Sequence, residues 1–539
     1  MTLRRFAIVL LLWLAASLGA QTIDPHDLPQ GFAPGEERLP LGRDFSPTDP
    51  PSEPVRPVAE WEPMRGSLVR WHNGLGIPWS LAVELAENDE LVTLVSGASQ
   101  QAGAEAAYAS HGVNLANCSF LVAATNSKWT RDYGPFFIMG DSLAVVDFIY
   151  NRPRPLDDAI PSAYAAWDSL PYYGMSLVHT GGNWITDGHA AAAGTQLVWT
   201  ENPGLSHTQI DALVGNYTGS TTYHVLPDPL GEYIEHIDCW GKFLSPDKIL
   251  IGQVPPNDQR YSDFEALAAY FAGVICAWGE PYEVIRVDTP GDWPYTPYTN
   301  SLILNRKVFV PQTGHSLDAA ALAVYESAMP GYEVIGVSYA NWLNTDALHC
   351  RVHELPDKRM IELRHLPLHG TQSAQDSLLV YAVVRAHSGG ALVADSLLLH
   401  WRVAPDTVWC ALPLTPAVGD TLAAWLPALM QEGEVQYWLR AADASGRAAQ
   451  HPQAGGSDPH TFEVAFTALD APQQPRIVVS GGVVTLSWQA VPSATAYRVE
   501  SAATAGAEDW DLEDETAEVS LSLPATAERR YYRVTAVRE

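Results

Sequence analysis

The sequence predicts an α/β array of repeated units, propeller-like or otherwise pseudosymmetric, followed by two all-β sandwich modules. Three observations carry this expectation. Five segments share one arrangement: a polar residue or cysteine, a strand-like run, a tight turn and a second apolar run. Helical and strand periodicities alternate from about residue 56 to 367, with helical spacing over 77–88 and 261–273 and strand character in LVTLVS and LILNRKVFVP. Beyond residue 367 only strand-like runs between Gly, Pro and Asp turns remain.

In chain order, residues 1–20 read as a secretory signal: Arg4 and Arg5, an apolar run, then small residues ending at Ala20. The expected location is therefore secreted or cell-surface. Residues 21–55 are rich in Pro, Asp and Glu, the composition of a linker, a pro-segment or a wrapped N-terminal arm. Residues 56–367 form the repeated region. Residues 368–468 contain LLVYAVVRA, LLLHWRVA and VQYWLRAAD, which predict an immunoglobulin-like sandwich. Residues 469–539 resemble a fibronectin type III module, with Trp488 in VTLSW, Tyr497 in AYRVE and Tyr532 in the closing YYRVTAV. No sorting tail is expected after that last run. Such modules carry no chemistry by themselves; they space, stabilise or attach, so contact with a cell surface or matrix is one expected role.

Composition excludes several classes. The 31 basic and 62 acidic residues give a net charge of −31, which argues against nucleic acid or an anionic membrane as partner. With 47% hydrophobic and 17% charged residues, the chain is globular. No later stretch is long and apolar enough to span a bilayer. The cysteines at 118, 239, 276, 350 and 410 are odd in number and lack metal-type spacing, so at least one is unpaired.

The repeat positions candidate chemistry. Asp132, Asn183, Asp238, Asn300 and Cys350 occupy matching places, with steps of 51, 55, 62 and 50 residues between them. Tight turns follow at Met139-Gly140-Asp141, Asp187-Gly188, Ser245-Pro246-Asp247-Lys248 and Asn305-Arg306. Equivalent places in a pseudosymmetric array lie around one axis, so these residues converge, together with His236. Read as an extended segment, residues 236–239 would point His236 and Asp238 one way and Cys239 the other, into the core. A His–carboxylate pair is a general acid/base unit.

The segments WTRDYGPFFI, HTGGNWITDG, EHIDCWGKFL, YTNSLILN and DALHCRVHE resemble, in order, the Porphyromonas-type peptidylarginine deiminases, relatives of agmatine deiminase in the guanidino-group-modifying superfamily. The resemblance covers roughly residues 55–365. It implies a five-bladed α/β propeller and cysteine-based hydrolysis of a guanidinium to citrulline and ammonia. It also implies that Cys350 is the nucleophile, His236 the acid/base, Asp132 and Asp238 the guanidinium-binding carboxylates and Asn300 a supporting polar residue. The expected partners are arginine-containing peptides or proteins. The chemistry agrees with the residues. Guanidinium is a poor electrophile and needs a thiolate beside a protonated imidazole. Two carboxylates accept paired N–H bonds from the planar cation and hold its carbon in line with sulfur. No metal or cofactor is required for that step, and a structural ion stays open.

Other residues flank these motifs. Trp129 packs either in the core or along the substrate's aliphatic stem. Gly182, Asn183, Tyr233 and Thr345 complete the candidate substrate wall, although Asn183 after two glycines is also a natural turn residue. Arg152 and Arg154, in NRPRP after the first hairpin, are either a solvated hairpin end or a clamp for a peptide's C-terminal carboxylate; RPR also occurs in the resembled family. Three alternatives stand beside this reading. One is an agmatine or free-arginine deiminase. Another is a zinc hydrolase using His349, His353 and Glu354, a spacing that is not HExxH and that Pro356 keeps from a long helix. The third is a non-catalytic adhesive protein.

Overall fold

The computed structural model of the protein describes residues 28–538 except 42–44, 232, 291–296, 344, 467 and 527; the expected signal, residues 1–20, lies outside the described residues. Among the described residues, no helix is long and apolar enough to cross a membrane.

Five separate sheets make up residues 56–356, and each is built on one plan. A short first strand pairs antiparallel with a second, a helix follows, and a third strand returns parallel to the second. In this way Gly241–Phe243 pairs with Lys248–Gln253, the helix Tyr261–Ala272 crosses over, and Glu283–Asp288 adds in parallel. Leu302–Leu304, Lys307–Gln312, the helix Asp318–Ala328 and Glu333–Ser338 repeat the plan. So do Ile185–Thr186, Ala191–Thr195, the helix His207–Thr218 and Thr222–Leu226. In the sheet containing Phe136–Met139, Leu143–Tyr150 and Tyr172–His179, the strand Arg56–Pro57 joins the outer edge. The fifth sheet is made by both ends of the region: His353–Pro356 pairs antiparallel with Met64–Arg70, which continues parallel into Glu90–Val95 and Cys118–Val122. The two ends of the repeat are thereby stitched together.

Local sequence explains the elements. Ser206 and Gln209 form a capping box that opens the helix His207–Thr218. In Tyr261–Ala272 the buried residues Phe264, Leu267, Ala268 and Phe271 recur at helical spacing, burying one face. The helix expected over 77–88 is shorter, Trp79–Leu85, because Pro78 fixes its start. Asn305 takes positive φ, as the turn beside it demands.

Among the described residues, the C-terminal part holds strands and two short 3₁₀ turns, with no α-helix. Ile361–His365, Leu378–Ala386, Thr421–Leu426 and Thr415–Pro416 form one antiparallel sheet; a second, centred on Gly433–Ala442, faces it across a core that includes Val380, Leu399, Val435 and Tyr437. The repeated region therefore ends between Pro356 and Ile361, before the expected residue 367, because Ile361–His365 pairs antiparallel with Leu378–Ala386 of the sandwich. Two three-stranded sheets follow over residues 476–537, closing on Trp488 and Tyr497, whose rings lie 5.3 Å apart. The Tyr497 hydroxyl accepts from the Val491 N–H at 2.8 Å.

Candidate active site

Each repeat residue sits on a short turn leading into the first strand of its sheet. Asp132 lies in Thr130–Tyr133, Asn183 in Gly181–Asn183, Asp238 in Ile237–Cys239 and Cys350 in Leu348–Arg351. Asn300 directly precedes Leu302–Leu304. The turn holding Asp132 packs on those holding Asn183 and Cys350, and the Asn183 turn packs on that of Asp238. The repeat thus brings its equivalent positions together, and all five side chains are buried.

The contacts are specific. Cys350 Sγ lies 4.0 Å from Asp238 Oδ2 and accepts from Asn300 Nδ2 at 3.3 Å. The Cys350 N–H donates to Asn300 Oδ1 at 3.4 Å, and Sγ lies 3.8 Å from the Thr345 carbonyl. His236 Nδ1 is 3.5 Å from Asp132 Oδ1. Gly182 lies against both: a Cβ there would come 2.4 Å from His236 Nδ1 and 2.7 Å from Asp132 Oδ1. Asn183 has a framework contact, its Oδ1 accepting from the Thr195 N–H at 2.7 Å across the hairpin.

One expectation is overturned. Residues 237–239 form a 3₁₀ turn, not an extended segment, so successive side chains rotate by about 120° and the alternating-face rule fails. His236 therefore turns to Asp132, while Asp238 Oδ2 accepts from His349 Nδ1 at 2.7 Å. Cys239 does not face away: its thiol lies 3.5 Å from Asp238 Oδ1, although it is buried as expected.

Burial first, and the chain's own charges second, shift the groups of the site. Burial pushes the Cys350 thiol well above its ordinary value, and Asp238, Asp132 and Asp346 add to this. Burial likewise holds His236 well below its usual range, assisted by Arg152 and His179. The expected thiolate beside a protonated imidazole is thus not the resting pair, because burial disfavours both charged forms and the Asp238 carboxylate lies 4.0 Å from the sulfur. Burial raises Asp132 to about 7, against the hydrogen bond from Gln30 and the charges of Arg152, Arg154 and Arg131.

The other residues expected to line a substrate wall differ in burial, and several face the N-terminal arm. Trp129 is buried, and its indole N–H donates to the Leu28 carbonyl at 3.1 Å. Arg152 and Arg154 are both buried, and both turn to the N-terminal arm. Tyr233 is exposed, its ring lying against Gly31. Thr345 is buried beside the nucleophile candidate.

Two residues at the site lie outside that candidate set. Gln30, from the arm, donates through Nε2 to Asp132 Oδ2 at 3.1 Å; nothing in its local pattern marks it. His349 is signalled by its place beside Cys350, but as the partner of Asp238, not as a zinc ligand. Glu60, His349 and Glu354 do bring donor atoms together. However, Glu354 is paired with Arg131 and Glu60 with Lys242, while His353 turns to the Pro135 carbonyl. Two cations already balance this cluster, which fits a divalent ion poorly.

Residues 58–356 match the family described as Porphyromonas-type peptidyl-arginine deiminase. Agmatine deiminase from Medicago truncatula is 26% identical over 290 residues, 43% of this chain and 77% of that protein. Agmatine deiminase from Pseudomonas savastanoi pv. phaseolicola is 24% identical over 311 residues, 50% of this chain and 83% of that protein. Among solved structures, agmatine deiminase of Enterococcus faecalis superposes with a TM-score of 0.51 at 20% identity, covering 58% of this chain and all of that one. A Porphyromonas gingivalis protein provisionally called an arginine deiminase gives 0.50 at 22%, covering 56% and 99%. The repeated region has the fold of these structures.

Proposed function

The chain belongs to the Porphyromonas-type peptidyl-arginine deiminase family, hydrolases of amidine C–N bonds, and from that premise we propose that it converts arginine in peptides, C-terminal arginine preferred, to citrulline and ammonia. The observation that carries this is the placement of Cys350 against Asp238 and Asn300, with Asp132 and His236 on the neighbouring turns. We take the five sheets as the blades of a closed propeller with this site at its axis.

A guanidinium bound by Asp132 and Asp238 brings a cation beside the sulfur. It offsets the two carboxylates that hold the Cys350 proton on sulfur, so substrate binding itself favours the thiolate. The proton passes to neutral His236. Sulfur then attacks the guanidinium carbon; the C–S bond forms and the C=N pair moves onto nitrogen. His236 returns the proton to the departing nitrogen, the C–N bond breaks and ammonia leaves a thiouronium. Water enters, gives His236 a proton and adds at the same carbon; the C–S bond breaks, His236 returns its proton to sulfur, and the adduct's hydroxyl loses its proton to ammonia or solvent, leaving citrulline and the Cys350 thiol. Asn300 Nδ2 donates to sulfur as its charge develops and declines.

Preference for a C-terminal carboxylate rests on Arg152 and Arg154, both turned to one segment, where Arg154 already holds the Glu36 carboxylate at 2.9 Å. The agmatine deiminases among the relatives favour a second reading, hydrolysis of agmatine. Citrulline-type product and ammonia are to be measured with peptides ending in arginine, the same peptides amidated, free arginine and agmatine. Peptides ending in arginine should lead. Equal kcat/KM after amidation would remove the clamp, and agmatine in the lead would establish the second reading. Export by residues 1–20, with the immunoglobulin-like and fibronectin-like modules as spacers or attachment units, completes the proposal; recovery of the chain in the cytoplasm with residues 1–20 intact would end that part.

A further inference from the structure

Residues 28–38 of the N-terminal arm meet five of the residues assigned above to substrate recognition: Trp129, Asp132, Arg152, Arg154 and Tyr233. Gln30 is buried and places its amide N–H on Asp132, where a guanidinium N–H would go. The Gln30 carbonyl accepts from Arg152 Nε at 3.1 Å; the Pro29 and Gly31 carbonyls accept from Arg154 Nη2 at 2.7 Å each. Glu36 takes Arg154 with both oxygens, Nε to Oε1 at 3.1 Å and Nη2 to Oε2 at 2.9 Å, as a peptide carboxylate would. Phe32 lies under the Arg152 guanidinium at 4.6 Å. Trp129 binds the Leu28 carbonyl, and Gly31 fits against Tyr233 because it has no side chain: a Cβ would lie 2.3 Å from the ring.

We propose that residues 28–38 are a built-in pseudosubstrate that closes the active site until a peptide or a proteolytic cut displaces it. Two chemical features make this arm an inhibitor and not a substrate. A glutamine side chain is two atoms shorter than arginine, so it contacts Asp132 while Cys350 stays on Asp238 and Asn300. Its amide is also neutral and does not offset the two carboxylates. The fit is incomplete in a way that favours exchange. Among the described residues, Gln30 Oε1, Arg154 Nη1 and both ring nitrogens of His236 are buried without a hydrogen-bond partner. Each such group bears the cost of its lost hydration without a bond in return. A peptide bringing a full guanidinium and a carboxylate satisfies more of them than the arm does. Arg38, just past Glu36, is largely exposed, so the segment can be reached by a protease.

The inference rests on the function proposed above for its substrate chemistry, and the test separates the two. In the full chain, Gln30→Ala combined with Glu36→Gln removes the two mimicking groups without touching the residues assigned to catalysis; Phe32→Ser is a second, independent variant. Alkylation of Cys350 by iodoacetamide, followed by mass spectrometry of its peptide, reads pocket opening without any turnover. Both variants should raise the Cys350 alkylation rate about tenfold or more over the unmodified chain, corresponding to the loss of one or two charge-assisted contacts. The kcat/KM for a peptide ending in arginine should rise in parallel, mainly through KM. Faster alkylation without any citrulline would support the plug and reject the guanidine chemistry. Unchanged alkylation in whichever variant keeps the parent melting temperature would overturn the plug, whatever the turnover.

Discussion

At the residue scale, the site is defined by two carboxylates whose burial is unfavourable without a cation. Asp132, raised to about 7, is protonated in mildly acidic solution and cannot then accept from a guanidinium. The kcat/KM should therefore fall as pH drops through about 7, and Asp132→Asn should abolish that limb while lowering kcat/KM by orders of magnitude. The same shift acts on stability with a defined sign. A carboxylate whose folded value lies above its unfolded one contributes stability that is present below about 4 and lost as pH rises through about 7. Asp132→Asn should accordingly melt higher than the parent at pH 8, with a gain bounded by roughly 4 kcal/mol, and show no gain at pH 4. A variant that melts lower at pH 8 would show that Asp132 is paired for structure. For the nucleophile, Cys350→Ala should abolish turnover with the fold intact. Cys239→Ala should keep much of the activity, since Cys350 and not Cys239 holds the repeat position; substrate trapped on Cys239 would reverse the assignment.

At the scale of elements, the short turn before each hairpin decides the geometry. Gly182 is the tightest point. Gly182→Ala would drive a methyl into His236 and Asp132, and because these are side-chain atoms they would move instead of the backbone. The fold should survive, while kcat/KM should drop by about a hundredfold, the effect expected of a displacement near 1 Å. Unchanged kinetics with a native circular dichroism spectrum would mean that His236 is not held where it matters. The hairpins are legible from sequence because Gly, Asp and Asn mark their turns, and a recurring spacing of 50–62 residues makes Asp132, Asn183, Asp238, Asn300 and Cys350 equivalent. What sequence missed lies in the turns themselves. Residues 237–239 look extended by composition but wind into a 3₁₀ turn, which swaps the partners of His236 and Asp238. Gln30 was invisible for a different reason. Its role depends on a contact with a residue 102 positions away, and no local periodicity encodes such a contact.

For the whole molecule, the joint between the repeated region and the first β sandwich is electrostatic and buried. Arg56, on the edge strand Arg56–Pro57, donates to Glu62 at 2.7 Å and to Glu362 of the sandwich strand Ile361–His365 at 2.8 Å. Burial opposes a charge on Glu362, but the hydrogen bond to His387 and the Arg56 guanidinium hold it at about 2. Lys248–Asp458 and Arg447–Asp357, both partly exposed, tie the same two parts nearer the surface and count for less. A depressed carboxylate contributes stability that is present above its unfolded value and lost as pH falls toward its folded one. For Glu362 that contribution is roughly 3 kcal/mol, lost between about pH 5 and pH 2. Glu362→Gln should therefore lower the melting temperature at pH 7, and the gap to the parent should narrow as pH falls toward 3. Because Arg56 belongs to the repeat and Glu362 to the sandwich, the loss should be shared. Amide exchange should quicken both in Met64–Arg70 and in Leu378–Ala386, with one calorimetric transition before and after. Faster exchange confined to the sandwich would mean that the two parts unfold separately and that the sandwich is carried as an independent module. Faster exchange on both sides would make the sandwich part of what keeps the five sheets, and hence Cys350 and its carboxylates, in register.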